Sequence, residues 1–368
     1  MQKVDLEWLR EMLRQTPVMA EIHPLLLALL PKEVVVFGDV WELIARLDSP
    51  ELQPTRPMLC TQVKSEFRHR LPAIFCDHDP LTTELNRVLL RRYEFIQRYV
   101  LCQSQVADEI VKQPTGDTVI LMLVDGLSYA DVKRYAPTWL GKAVPVLVDG
   151  VSVTDQGMLR IVGSPPIVQR LFGAGFRRML GFTYWERAQE PLTDQIFKGF
   201  GDCVRRVRSF GEILGCLEEI DLCGAYVQIV RAGLDGVAHR QREMPNVEAM
   251  VNDILNDFER LACLFEEKAI SATLHLVSDH GVLWAWEHQL QLYEFSHAEH
   301  PRYYQHHKQG EHVLNVRFAE KEFAVLAYPY LRRELHANEW GVHGGLSFEE
   351  SVVPWLVHRS EAVSRHEQ

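Results

Sequence analysis

The amino-acid sequence predicts an α/β fold, in which helices sandwich a mostly parallel central sheet and a small N-terminal α/β region precedes that core. Residues 118–124 read Thr-Val-Ile-Leu-Met-Leu-Val, an apolar run without polar alternation. Such a run is typical of a strand that is buried on both faces of a parallel sheet. Strand-like and helical patterns then alternate along the chain, which is the order of elements in an α/β layer fold.

Composition and charge narrow the class of protein. The chain has 368 residues, of which 47% are hydrophobic and 24% are charged. These values exclude a disordered, collagen-like or low-complexity protein. The formal net charge of −11 makes the chain a poor general binder of polyanions, so nucleic acid would need a local basic groove.

Localisation is predicted from the apolar runs and the cysteines. The longest fully apolar run near the N-terminus, residues 25–30, is six residues long, whereas a bilayer span needs about 20. Charged residues are spread through the first 25 positions, which excludes a signal peptide. The seven cysteines include no Cys-x-x-Cys pair and indicate reduced thiols. We therefore expect a cytoplasmic protein with no membrane partner.

Residues 1–113 are predicted to form the N-terminal α/β region, whose role the sequence does not assign. Strand-like runs cover residues 34–37, 58–61 and 73–76. A long helical pattern with apolar residues at a spacing of three to four follows over residues 81–100. Gln-Pro-Thr-Gly-Asp at residues 113–117 is the strongest break in the chain, so we predict that the core occupies residues 117–358.

Three acidic residues follow predicted strands of the core. The strand patterns cover residues 118–124, 145–148, 176–181, 205–209, 225–230 and 273–278. An amphipathic helix is predicted over residues 247–265, between the last two strands. In a parallel sheet, ligands bind beyond the carboxyl ends of the strands. Asp125, Asp235 and Asp279 each lie at such an end, so we expect the functional site there.

Histidines accompany these acids in three short motifs. Asp235 and His239 are four residues apart and would share one face of a helical turn. Asp279-His280-Gly and His343-Gly-Gly each place an imidazole beside glycine. Aspartate and histidine together favour zinc or a similar divalent ion over calcium. Each motif alone is weak, because a chain with 16 histidines contains such spacings by chance.

The order of these motifs resembles that of the alkaline phosphatase superfamily and, more narrowly, of the PglZ domain of bacterial phage-defence systems. The resemblance extends over residues 117–358. It rests on the segments at residues 124–126, 152–158, 233–239, 278–281 and 343–354.

This resemblance implies a centre of two divalent metal ions, with zinc the first choice and manganese or magnesium the alternatives. One ion would be held by Asp235, His239 and His343. The other would be held by Asp125, Asp279 and His280, with Thr154 bridging to it. In such centres, two ions about 4 Å apart stabilise both oxygens of an in-line displacement.

Thr154 is implied to be the catalytic nucleophile. A metal ion beside a hydroxyl lowers its pKa and makes it a better nucleophile near neutral pH. The residues alone leave an alternative open, because threonine before a helix is commonly its N-cap. In that case Thr154 would only cap a helix that begins at Asp155.

The resemblance further implies hydrolysis of phosphodiesters, in a nucleotide or a single-stranded nucleic acid, as part of antiphage defence. Other defence-system proteins are candidate partners. Hydrolysis of phosphomonoesters, in another phosphorylated small molecule, is an alternative function. A non-catalytic scaffold role in a defence complex is the other alternative.

The segment between Gly281 and His343 offers candidate substrate-binding residues. These are Arg302, His306, His307 and Lys308. They belong either to a solvated loop or to a lid whose cations hold phosphate. In the same segment, Trp284 and Trp286 either stack a base or belong to the core.

Overall fold

A computed structural model gives the architecture of the chain. It describes residues 101–112, 118–185, 191–294, 298–318 and 320–360, together with positions 86, 89, 90, 93, 94 and 97 of a preceding helix. The predicted strands of the N-terminal region lie outside the described residues. Among the helices that are described, none combines the length and the apolar composition that crossing a membrane requires.

A seven-stranded sheet forms the centre of the described core, in the order β2-β14-β6-β1-β5-β3-β4. The strands of this part of the chain are β1 Thr118–Asp125, β2 Ala143–Leu147, β3 Arg178–Thr183, β4 Val204–Arg206, β5 Ala225–Ala232, β6 Ala272–Ser278, β7 Leu283–Trp284, β8 Gln291–Leu292, β9 Tyr303–Tyr304, β10 Val313–Phe318, β11 Lys321–Leu326, β12 Tyr330–Leu331, β13 Gly341–Val342 and β14 Val352–Ser360. In the large sheet, β14 alone runs antiparallel to its neighbours, β2 and β6. The predicted, mostly parallel sheet is therefore confirmed.

Helices cover both faces of this sheet. They are α1 Gln103–Val111, α2 Tyr129–Tyr135, α3 Thr154–Val162, α4 Ile167–Gly173, α5 Pro191–Ile196, α6 Phe210–Glu218, α7 Asp235–Arg240, α8 Val247–Glu267 and α9 Phe348–Ser351. Val119 and Leu121 of β1 pack in one cluster with residues of α1, α3 and α4. Ile120 and Met122 point to the opposite face and are also fully buried. Helix α8 packs against α2, α6, β6 and β14.

The predicted strands differ from the observed ones mainly at their ends. The strand predicted at residues 205–209 is the short edge strand β4, because Ser209 is already the N-cap of α6. The segment between Gly281 and His343 forms a small β region beside the core. It contains the three-stranded antiparallel sheet β10-β11-β9 and the pairs β8–β12 and β7–β13.

The boundary of the core lies nearer the N-terminus than predicted. The chain divides into compact units of residues 1–100 and 101–368, which places α1 with the core. The apolar face of α1, including Val106 and Ile110, is fully buried against the core. A proline and glycine break marks a local interruption of regular structure, and it does not reveal which unit buries the preceding helix.

Candidate metal centre

The carboxyl ends of three neighbouring strands meet at one edge of the sheet. Strand β1 pairs in parallel with β5 on one side and with β6 on the other. Asp125 is the last residue of β1, and Asp279 follows the last residue of β6. Asp235 is the first residue of α7, shortly after β5 ends at Ala232. The predicted convergence of the three carboxylates is thus a consequence of parallel pairing.

Asp235, His239 and His343 form the first group of ligands, here called the Asp235 cluster. Their ligand atoms all lie within 4.8 Å of one another. The Nε2 atoms of His343 and His239 lie 3.0 and 3.3 Å from Asp235 Oδ1. The spacing of four residues places Asp235 and His239 on one face of α7, as predicted. All three side chains retain some exposure, so the cluster is accessible from solvent.

Asp125, Asp279 and His280 form the second group, here called the Asp279 cluster, and all three are buried. His280 Nε2 lies 3.5 Å from Asp279 Oδ2 and 3.8 Å from Asp125 Oδ1. The rings of His280 and His343 stack with centroids 4.1 Å apart, which brings the two clusters side by side. The structure therefore brings together all six predicted aspartate and histidine ligands.

Some buried polar atoms of the two clusters make few or no hydrogen bonds, which bears on whether these residues fit two cations. Buried polar atoms in proteins almost always have a partner. Asp279 Oδ2 is buried without a hydrogen-bond partner. Asp235 Oδ1 and His239 Nε2 are buried with no hydrogen-bond partner beyond the ion pairs that the two histidines make with Asp235. Orphaned carboxylate and imidazole atoms that converge in this way are the donor set that zinc prefers. The residues present thus fit two divalent ions.

Hydrogen bonds to the far side of two imidazoles fix their tautomers. Nδ1 of His343 lies 2.9 Å from the carbonyl oxygen of Ser152, and Nδ1 of His280 lies 3.1 Å from that of Gly281. A carbonyl oxygen only accepts hydrogen bonds, so each Nδ1 carries the proton and donates. The Nε2 atom of each ring therefore faces the two clusters, where it could bind a metal ion once it carries no proton.

Burial and mutual charge perturb the ionisation of these groups. Burial, followed by the negative charge of Asp235, raises the pKa of Asp279 to about 7. Burial, followed by the positive charge of His343, lowers the pKa of His280 to about 3. Burial opposes ionisation of Asp235 too, but His343 and His239 outweigh it and hold the pKa of that carboxyl well below its usual value. The two clusters therefore place several ionisable groups close together. Bound divalent cations would stabilise the charged form of their carboxylates.

The hydroxyl of Thr154 lies against the Asp279 cluster. Its Oγ1 is 3.2 Å from Asp125 Oδ1 and 3.1 Å from His280 Nε2. The N-cap of α3 is Val153 rather than Thr154, and no side chain makes the capping hydrogen bond. The hydroxyl therefore faces the candidate ligands instead of capping the helix. Gly157 allows α3 to approach so closely, since a Cβ there would lie 2.3 Å from the carbonyl oxygen of Asp279.

A third group of possible ligands differs from the first two in its geometry. Glu287, His288 and Glu349 also place ligand atoms within 4.8 Å of one another. Here, however, His288 Nε2 and Glu349 Oε2 are at the hydrogen-bond distance of 2.7 Å, and Glu287 is ion-paired with Arg134. Glu287 Oε2 is also buried without a hydrogen-bond partner, so this group differs from the two clusters in its cationic neighbour Arg134 and in the short His288–Glu349 contact.

Two side chains that belong to no sequence motif hold the candidate ligands in place. Gln103 of α1 donates from Nε2 to the carbonyl oxygens of Ser278 and Asp279, at 2.9 and 2.6 Å. Trp185, just beyond β3, donates from Nε1 to Asp125 Oδ2. Neither belongs to a motif, and Gln103 is 176 positions from Asp279, so no local signal reveals these contacts.

Arg302 is not available to a substrate, so its predicted substrate-binding role is wrong. It is fully buried, and its Nε and Nη2 donate to the two carboxylate oxygens of Glu350 at 2.9 and 2.6 Å. Glu350 also accepts from the backbone N–H of Gly345 at 2.9 Å. The ion pair thus braces the glycine bend after His343. In the sequence, Arg302 looks like a surface residue, because it lies in a polar segment and its partner Glu350 is 48 positions away.

The other three residues of that segment lie elsewhere on the β region. Lys308 is ion-paired with Glu294 and contacts Tyr304. His306 and His307 are exposed. Among the described residues, none of these three contacts the six candidate ligands. The role of His306, His307 and Lys308 in substrate binding therefore stays a prediction. Trp284 is fully buried and donates to Asp131, as a core residue does.

The fold and the site together define an α/β protein with two adjacent groups of candidate metal ligands at the carboxyl edge of its sheet. No family model and no curated protein matches the chain. Solved structures that resemble it include an inactive variant of murine ectonucleotide pyrophosphatase/phosphodiesterase 5 in complex with AMP. That comparison has a TM-score of 0.43 and 13% identity, and covers 66% of this chain and 88% of the other.

Two bacterial structures are also similar. Phosphonoacetate hydrolase from Sinorhizobium meliloti 1021, with phosphonoformate, has a TM-score of 0.47, 12% identity and coverage of 69% of this chain and 92% of its own. The C-terminal periplasmic domain of EptC from Escherichia coli, with zinc, has a TM-score of 0.31, 11% identity and coverage of 46% and 66%.

Proposed function

We propose that this protein is a two-metal phosphoryl hydrolase of the alkaline phosphatase superfamily, with a PglZ-type core that cleaves phosphodiesters. The observation that carries the proposal is the position of Thr154. Its hydroxyl lies within 3.2 Å of both Asp125 and His280. A candidate nucleophile thus lies beside two candidate sets of metal ligands at one sheet edge.

The six aspartate and histidine ligands would hold two divalent ions, which supply positive charge that acidifies a hydroxyl and stabilises phosphoryl oxygens. The chain's own groups provide the rest. Thr154 Oγ1 can donate its proton to Asp125 Oδ1, which lies within hydrogen-bond distance. The start of α3 carries the positive end of the helix dipole, which favours an anionic phosphoryl group beside Thr154.

A diester fits the surroundings of this centre better than a monoester. A monoester carries more negative charge and benefits from an additional cation beside its phosphoryl oxygens. Arg231, the cation nearest to the centre in the adjoining cavity, is already bonded to Asp253 and Asp257. The complete ligand set also argues against a scaffold without catalysis, because a site that has lost its activity usually loses ligands.

Hydrolysis of bis(p-nitrophenyl) phosphate and of p-nitrophenyl phosphate by the zinc- or manganese-loaded protein tests this proposal. We expect the diester to be the better substrate in kcat/KM, and Asp279→Asn to abolish both activities. A better monoester would favour the phosphatase alternative. Absence of both activities with every metal would contradict a hydrolytic function and favour the scaffold.

We further propose a cytoplasmic role in antiphage defence, with a nucleotide or a single-stranded nucleic acid as substrate. This part rests on the resemblance to PglZ domains and on the net charge of −11. Because general attraction to duplex is weak at this charge, any nuclease activity should fall steeply with added salt.

The proposed defence role has its own test. Deletion of the gene from a phage-resistant host should increase plaque formation.

A further inference from the structure

A cavity of about 240 Å³ adjoins the candidate metal centre. Two metal-ligand carboxylates, those of Asp125 and Asp235, line it on one side. Its remaining walls come from the end of β3, the end of β5 and helix α8. They include Tyr184, Trp185, Arg231, Met250 and Asp253. If a phosphate ester bound at Thr154, the group esterified to the phosphate would therefore lie beside this cavity.

The cavity is lined by two aromatic rings and a thioether, together with the charged side chains of Asp125, Arg231, Asp235 and Asp253. Trp185 is buried and its indole is fixed by the hydrogen bond to Asp125. The half-buried ring of Tyr184 packs edge-on against Phe210, with centroids 6.2 Å apart. Met250 adds a flexible thioether, which packs well against aromatic rings. Such a lining suits a planar ring with an exposed π face.

The charges of the cavity exclude a second anionic group. Arg231 is the cation among its lining residues, and its guanidinium is paired with two carboxylates. Nε and Nη2 donate to Asp257 Oδ2 at 3.0 and 2.8 Å, and Nη2 also donates to Asp253 Oδ2 at 2.5 Å. Nη1 donates to the carbonyl oxygen of Ala232 at 2.6 Å. Four of the five N–H donors of Arg231 are therefore engaged. The carboxylate of Asp253 would repel a phosphate.

We infer that this cavity receives the uncharged planar ring of a phosphate ester that carries a single phosphate, such as the base of a mononucleotide ester. The inference rests on the proposed function, and it narrows the substrate. A polynucleotide would bring a neighbouring phosphate to a region where the lining cation, Arg231, is already paired with Asp253 and Asp257. Small nucleotide diesters are therefore the substrate class that the cavity favours over nucleic-acid chains.

Calorimetric titration of the zinc-loaded full chain tests the inference without depending on turnover. We expect AMP to bind at least about tenfold more tightly than ribose 5-phosphate, which lacks the ring. Adenosine 3′,5′-bisphosphate, with a second phosphate, should bind more weakly than AMP. Equal affinities for AMP and ribose 5-phosphate, or tighter binding of the bisphosphate, would overturn the inference.

Variants locate the ring in the cavity. Met250→Trp should fill the space and reduce the preference for AMP over ribose 5-phosphate to less than about threefold, because the ring is excluded. Met244→Trp, at an exposed position outside the cavity, is the matched control and should keep the preference. Tyr184→Ala should reduce the preference and Tyr184→Phe should retain it, because only the alanine variant removes the ring.

The two possible failures are distinguishable. Loss of binding of inorganic phosphate, ribose 5-phosphate and AMP alike, together with no diester hydrolysis, would contradict the proposed function. Retained phosphate binding with a preference for AMP that Met250→Trp does not change would contradict only the assignment of the cavity.

Discussion

At the scale of single residues, the environment of Thr154 separates a nucleophile from a helix cap. Its hydroxyl faces Asp125 and His280 and makes no capping bond. Thr154→Ala should therefore reduce kcat by several orders of magnitude, as deletion of other nucleophiles does. The melting temperature should change little, because no cap is lost. Thr154→Ser keeps the hydroxyl and should retain much of the rate. Turnover of the alanine variant close to that of the wild type would exclude the nucleophile assignment.

A second residue-scale prediction concerns His275, which lies in β6 away from the metal ligands. Burial, with a smaller contribution from Arg359, lowers the pKa of His275 to about 3, and neither ring nitrogen has a hydrogen-bond partner. Between that value and the unfolded pKa of about 6.5, the unfolded state binds the proton and the folded state does not. Stability is therefore lost as the pH falls. From pH 7 to pH 5, this residue should cost about 2 kcal/mol of unfolding free energy.

Denaturant unfolding of the wild type and of His275→Leu at pH 7 and pH 5 measures this effect. Leucine cannot titrate, and it is similar in size and apolar, so the variant should lose less stability than the wild type over this range. Contributions from the metal ligands are common to both proteins and cancel in the comparison. Equal losses in both proteins would show that His275 is not the titrating group.

At the scale of elements, helix α1 supports the centre through one side chain. Gln103 satisfies two consecutive carbonyl groups of the turn that carries Asp279 and His280. Gln103→Leu removes both donors, so the turn should lose its fixed position, and zinc affinity should fall by about ten- to a hundredfold, as for other residues that orient ligands. Competition with a chromophoric chelator measures this affinity. Ser104→Ala, on the exposed face of the same helix, is the control and should bind zinc normally.

Local patterns predict the elements well, but not the contacts between distant ones. The apolar run of β1 and the spacing of Asp235 and His239 are short-range features, and both agree with the structure. Parallel pairing then brings the strand ends together without further information. Arg302 and Glu350, in contrast, are 48 positions apart and meet only after folding. The cavity likewise forms between β3, β5 and α8, and no stretch of sequence contains its pattern.

At the scale of the whole molecule, the candidate ions would join segments from residue 125 to residue 343 and thus couple metal binding to folding. Ligands that bind only the folded state stabilise it by mass action, by about 2.7 kcal/mol per site at a hundredfold excess over Kd. Chelation should therefore lower the melting temperature and abolish activity together.

His239→Ala and Asp279→Asn should each reduce the zinc-dependent increase in melting temperature, because each cluster loses a ligand. His288→Ala, in the third group with Glu349, should leave that increase intact. The reverse pattern, with His288 needed and His239 dispensable, would move the metal centre to the third group of residues.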